Sequence, residues 1–191
     1  MKKHIIIAGV PRSGKSTVSS LISKTCGYQH ISMDSIVAGF ENCFPELGIN
    51  TYADMPSTDI LFNISGKIAP FIQEMIKSGE YTEIDTAMVI DIYQLLPEDY
   101  IRFIDRSHCD IYYLGTADVT PEERFRIQKK YDTPKDYTYY LPDEEIREGC
   151  VSIVEQSKLI KEQCIKYNLP YYETSKYRER VIKTIMQRIM R

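Results

Sequence analysis

The sequence predicts an α/β protein, a three-layer sandwich in which a five-stranded parallel sheet lies between two layers of helices. Three observations predict it. A phosphate-binding pattern, G-x-x-x-x-G-K-[ST], runs from Gly9 to Ser16, directly after an unbroken apolar run at residues 4–8 and directly before a segment of helical periodicity. Short apolar runs then alternate with long amphipathic segments, the order of strands and helices that builds a parallel sheet through right-handed crossovers. The 191 residues contain no internal repeat, low-complexity tract or linker, which predicts a single domain over 1–191, large enough to bury a core without staples.

The first strand is 4–8, apolar throughout as expected for a strand covered on both faces. A helix over 14–25 follows, with Val18, Leu21, Ile22 and Cys26 at helical spacing and Gly27 as its stop. Residues 28–31 read as the second strand, and Ser32-Met33-Asp34-Ser35 closes it and caps a helix running toward Phe44. Pro45, Gly48, Asn50 and Pro56 break the periodicity into a loop over 45–58. A helix over 58–77 shows Leu61, Ile64, Ile68, Phe71, Ile72 and Met75 on one face.

Residues 81–86 read as the third strand, ending in Glu83 and Asp85, followed by helices over 88–96 and 98–104, the latter opened by Pro97. The fourth strand is 109–114. Thr120-Pro121-Glu122-Glu123 predicts a helix start with a Thr cap, Pro in the first turn and a Glu three residues after the Thr. A polar, aromatic segment over 131–141 leads to a long helix over 143–167, a fifth strand over 170–173 and a final helix over 177–190.

The composition excludes several classes. Hydrophobic residues make up 43% and charged residues 27%, with a net charge of -3, so nothing draws the surface as a whole to nucleic acid or to an anionic membrane. The apolar runs are too short for a membrane span or a signal-peptide core, which predicts a cytoplasmic protein, monomer or homodimer. Five cysteines, with no C-x-x-C pair, argue against a disulfide framework or a zinc site and predict small buried thiols. The three histidines, His4, His30 and His108, sit at strand edges and read as packing or surface residues.

The chemistry concentrates in the phosphate-binding pattern. In Gly9, Val10, Pro11, Arg12, Ser13, Gly14, Lys15, Ser16 and Thr17, the two glycines let successive N–H groups turn inward on a phosphate chain. Lys15 reaches the outer phosphates, and Ser16 offers a hydroxyl to Mg²⁺. The predicted helix adds its positive end to the same site. These features predict binding of a nucleoside triphosphate. In such a sheet, ligands bind at the carboxyl ends of the strands, so acidic residues there become candidates. Asp85 is the expected Mg²⁺ residue. Asp34 is expected to hold the metal's hydration shell, deprotonate an acceptor hydroxyl, or simply cap its helix. Arg124, Arg126, Lys129 and Lys130, before Tyr137-Thr138-Tyr139-Tyr140, and Arg147 beyond them, read as a closing lid led by Arg124 and Arg147.

With these residues in view, the chain resembles the phosphate-loop kinases of the adenylate-kinase-like group. The likeness rests on the phosphate loop, on His30-Ile31-Ser32-Met33-Asp34, on Ile84-Asp85, and on Tyr171-Tyr172-Glu173-Thr174-Ser175 through Val181. It implies a sheet order of 2-3-1-4-5, a lid within 116–145 and an acceptor-binding region within 34–79. It further implies that Arg124 binds ATP and that Thr174 and Ser175 lie near the base. Adenylate kinases carry an arginine shortly after the strand-two Asp and another after strand three. Here Ile36, Val37 and Ala38 stand at the first place and Thr86-Ala87-Met88 at the second. Without those forked donors the likeness shifts toward kinases that phosphorylate a hydroxyl of a small metabolite, sugar or antibiotic. The expected activity is therefore ATP- and Mg²⁺-dependent transfer of a γ-phosphate to a small acceptor. The rivals are a nucleoside monophosphate kinase, with Arg102 and Arg106 as anion donors, and a regulatory ATP-binding module; a GTP switch lacks its Asn-Lys-x-Asp motif.

Overall fold

The apolar run after Lys3 forms β1 (His4–Gly9), buried at every residue, and the rest of the sheet is laid on either side of it. The structure is a computed structural model, and it describes residues 2–80 and 87–190. On one side of β1 lie β3 (Met88–Ile92) and then β2 (Gln29–Ser32); on the other lie β4 (Cys109–Gly115) and then β5 (Tyr171–Glu173). All pairs are parallel, giving the order β2-β3-β1-β4-β5, as the resemblance implies.

Successive side chains of a strand point to opposite faces, and each face has its own core. Ile6, Ala8, Ile90, Ile92, Ile111 and Tyr113 pack against α3 (Ser57–Glu80), α4 (Pro97–Phe103) and α6 (Asp143–Lys166). Ile5, Ile7, Val89, Tyr112 and Leu114 pack against α1 (Lys15–Cys26) and α7 (Arg178–Ile189). Val18 and Ile22 of α1 and Ile185 and Met186 of α7 are buried in this second core, whereas Leu21, expected on the same face, is exposed. The remaining helices, α2 (Met33–Cys43) and α5 (Pro121–Tyr131), follow β2 and β4. The capping box at the head of α5 forms as predicted: Thr120 Oγ1 accepts from the Glu123 amide at 3.2 Å, and Glu123 accepts from the Thr120 amide at 2.8 Å.

The segment expected as a helix over 88–96 is instead β3, followed by a turn. Val89–Ile92 pair with β1 along one edge and Met88–Asp91 with β2 along the other, and the run is buried at every residue, with Val89 in one core and Ile90 and Ile92 in the other, so both faces are covered. A short run buried on both faces has no amphipathic period, and helix and strand then read alike in the sequence. The third strand expected over 81–86 lies outside the described residues. The other differences are small: β2 starts and ends one residue later than expected, and α3 extends beyond 58–77 at both ends. Cys109, Cys150 and Cys164 are buried thiols as expected, whereas Cys43 is exposed. His4 is buried, its Nδ1 accepting from the Met88 amide at 3.0 Å.

Candidate active site

Because every strand runs the same way, their carboxyl ends gather the functional residues on one edge. Residues 9–16 turn from β1 into α1. Gly9 and Gly14 hold φ values of 128° and 104°, conformations that a side chain would strain. A Cβ on Gly9 would also lie 1.9 Å from the carbonyl oxygen of Leu114. No side chain caps α1, so its first amides remain available to an anion. Lys15 is 6% exposed, and its Nζ donates to the Val10 carbonyl at 3.0 Å, lying back along the loop. Burial pushes the Lys15 ammonium down, while the charges of Asp91 and Asp34 push it up. Ser13 Oγ is buried without a partner among the described residues. Ser16 and Thr17 are exposed on a cavity of about 350 Å³, beside Arg12, Tyr131 and Arg178.

Three guanidinium groups surround that loop. Arg124 is 2% exposed; its Nη2 donates to the Pro11 carbonyl at 3.4 Å and its Nε has no partner among the described residues. Arg178, at the head of α7, lies so close that a Cβ on Gly14 would sit 3.0 Å from its Nε. Burial lowers the affinity of both for their proton, and the positive charge of Arg12 adds to the effect on each. Such crowding of like charge marks a place for a polyanion. Arg12, at φ 61°, is itself held by the carboxylates of Asp132 and Asp136. Their hydrogen bonds and charge outweigh burial and raise its proton affinity, and Arg12 in turn holds the Asp136 carboxyl well below the usual range. Thr138 Oγ1 donates to Asp132 at 2.7 Å, so the segment between α5 and α6 is pinned to the phosphate loop.

The other expected donors are distributed unequally. The hydroxyl and amide of Thr174 both donate to the Gly115 carbonyl, at 3.0 and 2.8 Å, fixing the turn after β5. Ser175 Oγ is buried without a partner among the described residues, and this residue lines a small recess with Thr116, Arg124, Tyr131, Tyr177 and Arg178. Arg147 is turned elsewhere: it pairs with Glu122 and stacks 3.8 Å from the ring centroid of Phe125, on the exposed side of α5.

Asp85, expected at the end of strand three, lies outside the described residues; the strand-three acidic residue that meets the loop is Asp91. It is 3% exposed and stands opposite Ile7 in β1 and Ser32 in β2. His30 Nε2 lies 3.7 Å from its carboxylate. Asp34, exposed at the start of α2, is pushed above the usual carboxylate range by partial desolvation, against the pull of Lys15 and with the help of Asp91. Two carboxylates therefore face the one ammonium of Lys15, and the exposed hydroxyl of Ser16 follows it in the chain. Excess negative charge beside a free hydroxyl suits Mg²⁺, which takes oxygen ligands and keeps several waters. Among the described residues no group of three His, Cys, Asp or Glu could hold a metal unaided.

A second cavity, of about 230 Å³, opens on the other side of the loop, against Pro11. Ile60, Leu61 and Ile64 of α3, Ile153 and Gln156 of α6, and Tyr93 and Gln94 after β3 form its walls. Tyr93 donates to Gln156 at 2.8 Å, and burial pushes its phenol up to about 12. Sequence reasoning missed Asp91, Gln94 and the Arg12–Asp132–Asp136 contact. The β-branched Val89, Ile90 and Ile92, followed by Pro97, were the available signal for Asp91.

No protein-family model and no curated protein matches the chain. Solved structures of P-loop kinases acting on small molecules and nucleosides do, and the chain shares their fold. The shikimate kinase of Bacteroides thetaiotaomicron aligns with a TM-score of 0.55 at 13% identity, over 99% of each chain. A deoxyadenosine kinase of M. mycoides with bound dATP aligns with a TM-score of 0.52 at 17% identity, over 98% of this chain and 100% of that one. A gluconokinase of Sinorhizobium meliloti aligns at 0.51 and 13% identity, over 99% of this chain and 92% of that one.

Proposed function

We propose that this protein is an ATP- and Mg²⁺-dependent kinase that transfers a γ-phosphate to a hydroxyl of a small acceptor. The observation that carries the proposal is the meeting of Lys15, Asp34 and Asp91 at the loop, between a cavity ringed by arginines and a cavity lined by neutral side chains. Lys15 and the amides from Gly9 to Ser16 hold the β- and γ-phosphates, with Arg12, Arg124 and Arg178 around the chain of phosphates. Thr174 and Ser175 lie on the side of the base. Ser16, and Asp91 through water, would hold Mg²⁺, which would supply neutralisation of the negative charge that develops during transfer. The acceptor oxygen attacks the γ-phosphorus, and the bond from that phosphorus to the bridging oxygen breaks, leaving its electron pair on ADP. The hydroxyl proton passes to Asp34, whose raised proton affinity suits a base. Residues 116–145 serve as the lid and 34–79 supply part of the acceptor wall.

The same neutral wall disfavours a nucleoside monophosphate as acceptor, because its phosphate would meet no cation there. Among the described residues no helix is long and apolar enough to cross a membrane, in keeping with a cytoplasmic enzyme. The test is ADP release in the presence of ATP, Mg²⁺ and a metabolite library, with Lys15→Ala as control. Acceptor-stimulated release supports a kinase; ATP binding with release indifferent to every acceptor supports a regulatory ATPase instead.

A further inference from the structure

The cavity beside Pro11 constrains the charge of the molecule that enters it. Its walls combine isoleucines and a leucine with tyrosine and glutamine side chains and hydroxyls, and no residue that lines it carries a formal charge. A carboxylate or phosphate placed there would lose its water and gain no cation in exchange. Asp34 acts electrostatically on Tyr93 and Tyr137, both of which line the cavity. Arg12 also acts on Tyr137, but its guanidinium is taken by Asp132 and Asp136.

Two glutamines reach this cavity and they are in opposite states. Gln156 is committed at both ends of its amide: Nε2 donates to the Ser57 carbonyl at 3.2 Å, and Oε1 accepts from Tyr93 at 2.8 Å. Gln94 is 7% exposed, and its Oε1 is buried without a partner among the described residues. Buried polar atoms are almost always paired, so the unpaired oxygen of a glutamine lining a cavity calls for a partner, which a ligand can supply. An amide presents a donor and an acceptor on one edge, and a ligand that offers the converse pair satisfies both.

We propose that the acceptor is an uncharged hydroxyl compound recognised by Gln94, which pairs with a donor and acceptor on the acceptor while a hydroxyl faces Asp34. This rests on the phosphotransfer reading above. The cavity holds roughly the volume of eight waters at ~30 Å³ each, which suits a compound of monosaccharide size. Sugars and the sugar-and-base unit of nucleosides share this chemistry, and the test separates them.

The experiment measures ADP release by the full chain with matched pairs: glucose against gluconate, nucleosides against their 5′-monophosphates, and shikimate as a further anion. The expected result is kcat/KM at least a hundredfold higher for the neutral member of a pair, in either the sugar or the nucleoside arm. Gln94→Leu is expected to raise KM for that acceptor tenfold or more, with kcat within threefold and ATP affinity by calorimetry unchanged. A second variant, Gln94→Met, and thermal denaturation of both guard against loss of fold, and the wild-type comparison needs no variant. Preference for the anionic member, an acceptor KM indifferent to Gln94→Leu, or no turnover of any neutral compound by protein that binds ATP would each overturn the proposal. Failure to bind ATP at all would instead remove the phosphotransfer reading beneath it.

Discussion

On the phosphate side of the cleft Arg12, Lys15, Arg124 and Arg178 gather around one loop, whereas the side between α3 and α6 offers isoleucine, leucine, tyrosine and glutamine. Pro11 and Asp34 stand at the seam between them. The difference shows how one edge of a sheet handles two ligands of unlike character. Cations packed together are unfavourable until a polyanion joins them, so the first side recognises charge. The second side has no charge to offer and recognises shape and hydrogen-bond pattern instead. On the proposed reading ATP supplies nearly all the negative charge of the reacting complex, and among the described residues Asp34, exposed at the start of α2, is the carboxylate assigned to the acceptor.

The comparison is broken most severely by Lys15→Ala, which removes the one cation that reaches the outer phosphates from within the loop. Turnover in the ADP-release assay is expected to fall by about a thousandfold, the order seen when a charge-stabilising donor is lost. Next comes Asp34→Asn, expected to lower kcat by a factor of 10² to 10³, within the range of general-base catalysis, with ATP affinity by calorimetry unchanged within twofold. Partial desolvation raises the Asp34 carboxyl above the usual carboxylate range, so the acid limb of kcat/KM belongs above that range and disappears in the variant. The sign for stability is opposite. A carboxyl that holds its proton more tightly when folded loses stability as pH rises through that raised pKa, so Asp34→Asn is expected to be the more stable protein at neutral pH, measured as Tm.

A milder change sharpens the contrast. Ser152→Lys places a cation in the neutral wall and is expected to shift the ratio of kcat/KM for glucose and gluconate at least tenfold toward the anion. The smallest effect concerns the pin between lid and loop. Asp136→Asn leaves Arg12 with one carboxylate partner, and amide exchange over residues 131–141 is expected to quicken about threefold, since an ion pair of this partial exposure contributes little to stability.

Much of this edge was legible before any coordinates. The loop from Gly9 to Thr17 is written in residue types because its backbone demands glycine at two fixed places and its ligand demands a lysine and a hydroxyl. The capping box at Thr120 and Glu123 is local for the same reason. What stayed hidden depends on partners distant in sequence. Asp85 and Asp91 both follow β-forming residues, and only the pairing of Asp91 with Ile7 and Ser32 shows which aspartate the described sheet carries to the loop. Arg124 and Arg147 look equivalent in a charged segment, yet the first is buried against Pro11 and the second stacks outward on Phe125. Arg178 was read as the start of an amphipathic helix; the left-handed turn at Tyr177, with φ 53°, is what aims it at Gly14. Gln94 carried no signal, since a glutamine acquires meaning only from the cavity around it.

Gly9 links the catalytic loop to the sheet through bare backbone. With 1.9 Å between a notional Cβ and the Leu114 oxygen, even alanine would force β4 away from β1, and with it Thr116, Arg124 and the head of the lid. The smallest possible side chain at this point would thus act as a wedge, parting the strand that feeds the loop from the strand that leads to Thr116, with every charged group of the cleft still present in the chain.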